Sequence, residues 1–544
     1  MATTFKHPDL GEVKAKPVDG ALQFLGLKYA SLQDRFAAPQ LYTNYNSSTS
    51  IDATKFGPPP VSTVGAINNE FAFIQKSLPL PEVPTHSDTE GLNLNITVPL
   101  GKDGSALQSD AKLPVYVFVH GGAFAFGSNW YPHYDPAALV RLSVEMGKPV
   151  IGVTINYRLG IPGFLTSKEL RDAGYKANNG FHDQRTAMKW IKKYIGGFGG
   201  DPEEITAVGE SAGALSVVML LTSQEPLMKR CLCTGGALFL FKPLPDFLVE
   251  ATYQKVVEAL GLKDKSPEER VKALVSLPAD DLWQKVPPGT LLSPIADGET
   301  THSDPSFASF ASQEESVQAQ LPGRKWLSGL MLGDSALDSS VFAYMGMDPS
   351  NIATRFITSA TSTLSAHLSA LTTLLTSYNI TPTTPDNEAL LSILRFTSEI
   401  TFYASARAVA QGWPKSASSK VYLYHLNEGT PWEGRFQGEA VHIFDVALLF
   451  QNYNGELEKA QRKIARGYGE DFVRFVNGEE PWKPVEEGKF SARVYGPVKE
   501  GKGVEFVESG EPEKVGRSET VLKLGEEVGF DTVMDVLSNF LQGR

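Results

Sequence analysis

Ser211 lies at the centre of Gly209-Glu210-Ser211-Ala212-Gly213, between the apolar run Ile205-Thr-Ala-Val208 and the helical pattern that starts at Ala214. A serine on a sharp strand-to-helix turn exposes its hydroxyl above a sheet, and the flanking glycines avoid collisions of a β-carbon with neighbouring backbone. G-x-S-x-G is short enough to occur by chance, but a strand before it and a helix after it argue against chance. We therefore predict that Ser211 is a nucleophile that attacks a carbonyl carbon.

A glycine-rich segment, His120-Gly121-Gly122-Ala123-Phe124, directly follows the apolar run Val115 to Val119. Backbone N–H groups of such small residues can point at the negative oxygen that develops during acyl transfer. We predict that the amides of Gly121, Gly122 and Ala212 form an oxyanion hole.

The general base must be a histidine placed after the nucleophile and after the acid, because this is the chain order of a strand-turn-helix nucleophile. Five of the nine histidines precede Ser211, and His302 follows it but precedes the best acid candidate. The five are His7, His86, His120, His133 and His182. His367 lies in a helical pattern and His425 in a strand pattern, where a structural role is expected. His442 lies in a loop, between Gly438 and Asp445, and is the predicted base.

The elements that must hold these residues are short apolar runs that alternate with helical patterns, which is typical of an α/β fold. We predict a central, mostly parallel twisted sheet with helices on both faces, and residues 1–544 as one domain. The predicted strands are 114–119, 149–155, 205–208, 327–332 and 421–426. The predicted helices are 181–195, 456–476 and 530–541, and 386–412 forms one long helix or two. The polar segment Lys499 to Arg517 is interpreted as a surface loop.

Composition limits the partners of the protein. A net charge of −12 without a basic stripe argues against nucleic acid, and the apolar stretches are too short to cross a membrane. The N-terminus lacks the pattern of a secretory signal, and the two cysteines, Cys231 and Cys233, are badly spaced for a mutual disulfide on a strand. Together these features predict a cytoplasmic protein, and they do not decide between a monomer and a homodimer. No spacing typical of a metal site or of a phosphate-binding or dinucleotide-binding loop occurs, so we predict no cofactor and no metal.

Several segments in addition to the Ser211 turn resemble, in the same order, the type B carboxylesterase and cholinesterase family. They are Phe24-Leu-Gly-Leu-Lys-Tyr-Ala30, Leu92-Asn-Leu-Asn95, Asn156-Tyr-Arg-Leu-Gly160, Asn179-Gly-Phe-His-Asp-Gln184 and Phe198-Gly-Gly-Asp-Pro202. The resemblance covers nearly the whole chain and implies an α/β-hydrolase fold, helical insertions over the active site and a serine esterase activity.

The same resemblance identifies the acid of the site. The position that matches the family's catalytic carboxylate is Asp338, where the family usually has glutamate. The aspartate side chain is one methylene shorter than glutamate, so either this loop lies nearer to His442 or another carboxylate serves as the acid. Asp334 is the main rival, and Asp445 is a weaker one. The resemblance also implies a structural ion pair between Arg158 and Asp183.

Departures from the family bear on the substrate. The loop from about Val64 to Glu90 has neither the cysteine that usually closes it nor the tryptophan that receives choline, so we expect a mobile loop and no choline ester. Aromatic residues near the predicted cleft favour an apolar or aromatic ester. The candidate pocket residues are Phe124, Trp130, Tyr131 and Glu210, with Phe126, Phe71 and Phe73 nearby.

The predicted mechanism is two-step acyl transfer through an acyl-enzyme. Two alternatives stay open at this point. One keeps the site and changes the reaction, to an acyltransferase or a hydrolase of a lactone or secondary-metabolite ester. The other is a catalytically silent interaction protein related to the cholinesterases.

Overall fold

A computed structural model describes residues 2–543 of the chain, apart from residues 46–49, 64, 102–109, 237, 241, 288, 291, 302–304, 313 and 415–418 and the side chain of residue 318. The strands are β1 Thr3–His7, β2 Gly11–Val18, β3 Ala21–Lys28, β4 Ala30–Ser31, β5 Gln40–Leu41, β6 Ile51–Ala53, β7 Asn93–Pro99, β8 Leu113–Val119, β9 Ile151–Ile155, β10 Gly200–Glu210, β11 Arg230–Thr234, β12 Gly329–Ser335, β13 Lys420–Leu426, β14 Ala492–Tyr495 and β15 Val504–Val507.

The helices of the first half are α1 Ile67–Ile74, α2 Ala137–Glu145, α3 Gly160–Phe164, α4 Lys168–Asp172, α5 Asn179–Tyr194, α6 Ala212–Leu220, α7 Asp246–Ala259, α8 Pro267–Ser276 and α9 Ala279–Gln284. Those of the second half are α10 Phe307–Ala311, α11 Glu315–Gln318, α12 Gly323–Trp326, α13 Ser340–Tyr344, α14 Ile352–Thr363, α15 Leu368–Ser377, α16 Asp386–Ser398, α17 Ala404–Gly412, α18 Phe444–Leu449, α19 Lys459–Val476, α20 Thr520–Val528 and α21 Phe530–Leu541. One long helix or two helices were predicted over 386–412; a π-helical turn, Glu399–Tyr403, joins α16 to α17, so the segment is continuous.

The main sheet has the strand order β1-β2-β3-β7-β9-β8-β10-β11-β12-β13-β14-β15, with β6 beside β2. From β9 to β14 every neighbouring pair is parallel, whereas the strands at both ends of the sheet pair antiparallel. Helices α5 and α6 pack on one face, and α2 and α19 pack on the other. The predicted mostly parallel sheet covered by helices is confirmed. That residues 1–544 form one domain stays a prediction.

The parallel strands bring the chemistry to one edge of the sheet. β8, β10, β12 and β13 all run in the same direction, so the loops that follow them leave from a common edge. These loops carry the predicted oxyanion amides, the nucleophile, the acid and the base. Ligands of α/β sheets bind at this carboxyl edge.

Two features away from this edge concern earlier predictions. The predicted ion pair is present and buried, with Arg158 Nη2 at 2.7 Å from Asp183 Oδ1. The prediction of a surface loop over Lys499 to Arg517 is partly wrong. β15 lies in this segment and pairs with β14, because an edge strand needs only backbone hydrogen bonds to form. Arg517 is buried, because Asp334 supplies its counter-ion.

Candidate active site

Ser211 lies on the turn between β10 and α6 and has φ 54° and ψ −119°. Such a positive φ is strained for a residue with a side chain, so the surrounding backbone must hold it. Gly209 and Gly213 make this possible, because a β-carbon on Gly209 would lie 2.1 Å from the carbonyl oxygen of Gly213, and one on Gly213 would lie 2.0 Å from that of Val119. The Ser211 side chain is half-buried at the carboxyl edge of the sheet.

His442 and Asp338 are in contact, with Nδ1 of the imidazole 2.9 Å from Oδ1 of the carboxylate. The loops that carry them are joined directly, since the N–H of Leu337 donates to the carbonyl oxygen of Ala440 at 2.8 Å. The N–H of His442 also donates to Oγ of Ser340 at 3.1 Å. Two backbone contacts therefore hold base and acid in a fixed relation, and sequence reasoning had missed the part played by Ser340.

The two rival acids are engaged elsewhere. Asp334 lies in β12 and accepts from Arg517, whose Nε is 2.9 Å from Oδ2. Its other oxygen, Oδ1, lies 2.5 Å from Nδ1 of His425. Asp445 accepts from the hydroxyl of Thr234 and, at 2.7 Å, from that of Tyr424. Of the three carboxylates, the structure brings Asp338 to His442.

The other histidines considered as bases lie away from Ser211 or are occupied. His425 is buried against Asp334, and His367 is exposed at the start of α15. His302 lies outside the described residues. His120 stacks on Tyr157, its Nδ1 contacts the Gly121 carbonyl oxygen at 3.0 Å, and burial lowers its pKa to about 4. His120 therefore supports the glycine-rich loop.

The Asp338 carboxyl is fully buried, and burial raises its pKa from 3.8 to about 6. The contact with His442 works in the opposite direction, because a carboxylate that accepts a hydrogen bond from an imidazole is stabilised in its ionised form. The acid of this pair therefore titrates close to the neutral range.

Glu210, predicted as a pocket residue, is completely buried beneath the site. Its Oε1 lies 3.1 Å from Nε2 of His442, but the geometry is not that of a hydrogen bond, and within the described part of the chain neither oxygen has a partner. Burial, and after it the negative charges of Glu70, Asp445 and Asp338, raise the pKa of Glu210 well above its usual range. The raised pKa favours the neutral form of Glu210, whose side chain lies below the imidazole and is not an exposed wall of the cleft.

Nε2 of His442 has no hydrogen-bond partner among the described residues, so no hydrogen bond joins it to Ser211 in this state. Such contacts are often long in proteins without substrate and tighten when substrate binds. Nε2 is thus free to accept a proton.

The predicted oxyanion amides lie beside the nucleophile. A β-carbon on Gly121 would lie 2.9 Å from Cβ of Ser211, so only glycine allows this approach. No described residue accepts a hydrogen bond from the N–H of Gly121 or of Gly122. Ala212 is the first residue of α6, where the backbone N–H has no partner within the helix.

The aromatic candidates form two groups. Phe124 packs against Phe164 and Phe181, with ring centroids 4.6 and 5.8 Å apart. Trp130 and Tyr131 pack against each other at 4.9 Å, and Tyr131 contacts His133 at 5.7 Å. All three candidates are buried.

A buried pair that sequence reasoning missed lies beside the second group. Glu70 of α1 has Oε2 at 2.6 Å from Nε2 of His133. Both side chains are completely buried, although α1 belongs to the loop that was predicted to be mobile. In the sequence, the acidic residue within the apolar pattern Ile67 to Ile74 could have indicated a buried polar contact. The neighbouring residues do not indicate that its partner is His133.

The strained serine between β10 and α6, at the carboxyl edge of a parallel sheet, defines an α/β-hydrolase fold. The model of the carboxylesterase family matches residues 10–517, so the chain belongs to this family and is a carboxylic ester hydrolase. Lipase 3 of Yarrowia lipolytica is 27% identical over 85% of each chain. The inactive carboxylesterase-like protein VdtD of Byssochlamys spectabilis is 27% identical over 85% of this chain and 81% of its own. A solved PNB esterase has 22% identity and a TM-score of 0.70, covering 94% of this chain and 99% of its own.

In the part of the chain that the structure describes, no helix is both long and apolar enough to span a bilayer.

Proposed function

We propose that the protein hydrolyses a carboxylic ester in two steps, with Ser211 as nucleophile, His442 as general base and Asp338 as the acid that orients the imidazole. His442 takes the hydroxyl proton as Ser211 attacks the ester carbonyl, and the alcohol leaves with that proton. Water then attacks the acyl-enzyme by the same route and releases the carboxylic acid. The amides of Gly121, Gly122 and Ala212 hold the negative oxygen in both steps.

One observation carries the proposal: the imidazole bonded to Asp338 keeps its other nitrogen unpartnered at the edge where the strained Ser211 lies. His425, by contrast, lies in β13 and is held by Asp334, whose second oxygen binds Arg517.

The substrate class proposed is a small ester with an apolar or aromatic group. The support is the set of buried rings next to the glycine-rich loop, in which Phe124 packs on Phe181. A panel of aryl and alkyl esters with increasing acyl length would define the preferred group, and a preference for charged, hydrophilic esters would contradict the proposal.

A fluorophosphonate probe tests the nucleophile. The protein should be labelled on Ser211, and Ser211→Ala should lose both the label and ester turnover. Ser216→Ala is a matched control, because Ser216 is a buried serine of the same helix whose hydroxyl bonds to Gln184 and to the carbonyl oxygen of Ala212. Labelling that persists in Ser211→Ala would show the assignment to be wrong.

The same experiment separates an esterase from a catalytically silent protein, such as the relative VdtD is named to be. A silent protein would not react with the probe even though it folds. An acyltransferase would be labelled, and only product analysis with an added alcohol or amine, compared with water, would distinguish it.

A cytoplasmic location is also proposed. The support is that Cys231 and Cys233 are both free and buried in β11, as in proteins of reducing compartments. Recovery of the native protein from the secreted fraction of its cells would contradict it.

A further inference from the structure

A cavity of about 50 Å³, counted as the space open to the centre of a water-sized sphere, lies along α6. Leu215 and Met219 line it from that helix, Phe181 from α5 and Phe310 from α10. It begins one helical turn behind the nucleophile, since the N–H of Leu215 bonds to the carbonyl oxygen of Ser211. At 1.5 Å per helical residue, Leu215 and Met219 lie about 6 Å apart along the helix axis. The lining of the cavity is mostly apolar.

Arg324 also lines this cavity, and its side chain is buried. Nη2 lies 3.2 Å from the carbonyl oxygen of Phe310 and Nη1 lies 3.5 Å from that of Gly412, while Nε has no partner. The rings of Phe310 and Trp413 flank the guanidinium at 5.9 and 5.7 Å. No carboxylate of the described residues lies within ion-pair distance of it.

This lack of a counter-ion is unusual within the molecule. The other buried arginines of the described chain each have a carboxylate partner. The pairs are Arg35 with Asp88, Arg158 with Asp183, Arg230 with Glu204 and Arg517 with Asp334. A buried charge without a counter-ion is costly, and an anion bound beside it would offset that cost.

Thr301 supplies a second polar group without a partner. It lines the same cavity, is 3% exposed, and its hydroxyl has no hydrogen-bond partner. A buried hydroxyl normally finds a partner, so this one is also available to a ligand.

We propose that the cavity binds a monocarboxylic acid with an apolar chain, whose carboxylate is held by Arg324 and Thr301 and whose chain lies along Leu215 and Met219. The guanidinium matches a carboxylate in shape and charge, and the apolar lining fits an alkyl chain. A phosphate, with more charge and no apolar part, would leave the lining unused. The proposal does not depend on Ser211 being catalytic, because it concerns binding alone.

Decanoate is a suitable probe, and its binding to the whole protein can be followed by calorimetry. We expect saturable binding at one site, weakened at least tenfold in Arg324→Met and several-fold in Thr301→Val. Met219→Trp, which fills the cavity and leaves the guanidinium in place, should also weaken it. Decanol lacks the charge and acetate lacks the chain, so each should bind much more weakly than decanoate.

Arg141→Met is the matched control, because Arg141 is an exposed arginine paired with Asp19 and its loss should leave binding unchanged. Thermal unfolding checks that each variant is folded, and if Arg324→Met does not fold, Thr301→Val and Met219→Trp decide. The proposal is overturned if decanoate does not bind, if decanol binds equally well, or if the folded cavity variants bind decanoate like the wild type. The last result would place the ligand elsewhere, for example in the cleft at Ser211.

Discussion

Exchanging Asp338 and Asp334 separately for asparagine tests which carboxylate orients His442. Both are buried, but they have different partners. Asp338 contacts the imidazole, and Asp334 contacts Arg517 and His425. Asp338→Asn should lower kcat by about 10⁴, as the equivalent change does in a chymotrypsin-type enzyme, because an amide cannot stabilise the imidazolium and favours the wrong tautomer. Asp334→Asn should change kcat of the folded enzyme by a few-fold at most.

The two variants should have opposite effects on stability. Because burial raises the pKa of Asp338 from 3.8 to about 6, its ionised form destabilises the native state at neutral pH by about 3 kcal/mol, at about 1.4 kcal/mol per pH unit. Asp338→Asn removes that charge and should leave the protein as stable as the wild type or more stable. Asp334→Asn leaves the buried Arg517 without its counter-ion and should cost about 3–5 kcal/mol.

Hydrolysis of p-nitrophenyl butyrate and urea unfolding at pH 7.5 measure both quantities on the same samples. The reasoning fails if Asp334→Asn loses most of its kcat while its folded fraction is unchanged. It also fails if Asp338→Asn keeps more than about a tenth of wild-type kcat, since the orienting acid of a serine triad contributes far more than that.

Three further results are expected at the same site. First, kcat/KM should fall as the pH drops below about 6, because Asp338 then takes up a proton. Protonation of Asp338 should not lower the unfolding midpoint, since a carboxyl group with a raised native pKa binds protons more tightly in the folded state. Joint loss of activity and fold over this pH range would contradict this. Second, Gly235→Ala should lower kcat about 10²-fold, because the new β-carbon would lie 3.1 Å from Cε1 of His442 and displace the imidazole. The positive φ of Gly235, +56°, should cost only about 1–2 kcal/mol of stability. Wild-type ester kinetics in this variant would refute the prediction. Third, Ser340→Ala leaves the N–H of His442 without its acceptor and should cost about 1–3 kcal/mol in urea unfolding. The effect on kcat should be smaller, since the hydrogen bond from the N–H of Leu337 to Ala440 still joins the two loops. Unchanged stability would show that water replaces the hydroxyl.

The sequence indicates the nucleophile and the base more reliably than the acid, and the reason is the range of the interactions. The turn at Ser211 is determined by residues next to it in the chain, and the position of His442 follows from chain order and its loop. The choice between Asp338 and Asp334 depends on which of them meets Arg517, and that contact joins residues far apart in sequence. No local pattern carries this information. The same holds for Glu70 and His133, and for β15, a four-residue run within a polar segment that becomes a strand by pairing with β14.

The buried acids around His442 show how such non-local contacts set the charge of the site. Glu210 lies within electrostatic range of Glu70, Asp445 and Asp338, and four neighbouring carboxyl groups cannot all ionise in a dry interior. Three of these groups have hydrogen-bond partners: Glu70 contacts His133, Asp445 accepts from the hydroxyl of Tyr424, and Asp338 contacts His442. Glu210 has no such partner among the described residues, and burial together with its acidic neighbours raises its pKa well above its usual range. The raised pKa favours the neutral form of the carboxyl group close to Nε2. In the proposed mechanism, the positive charge that develops on His442 during acyl transfer is therefore balanced by Asp338 at Nδ1.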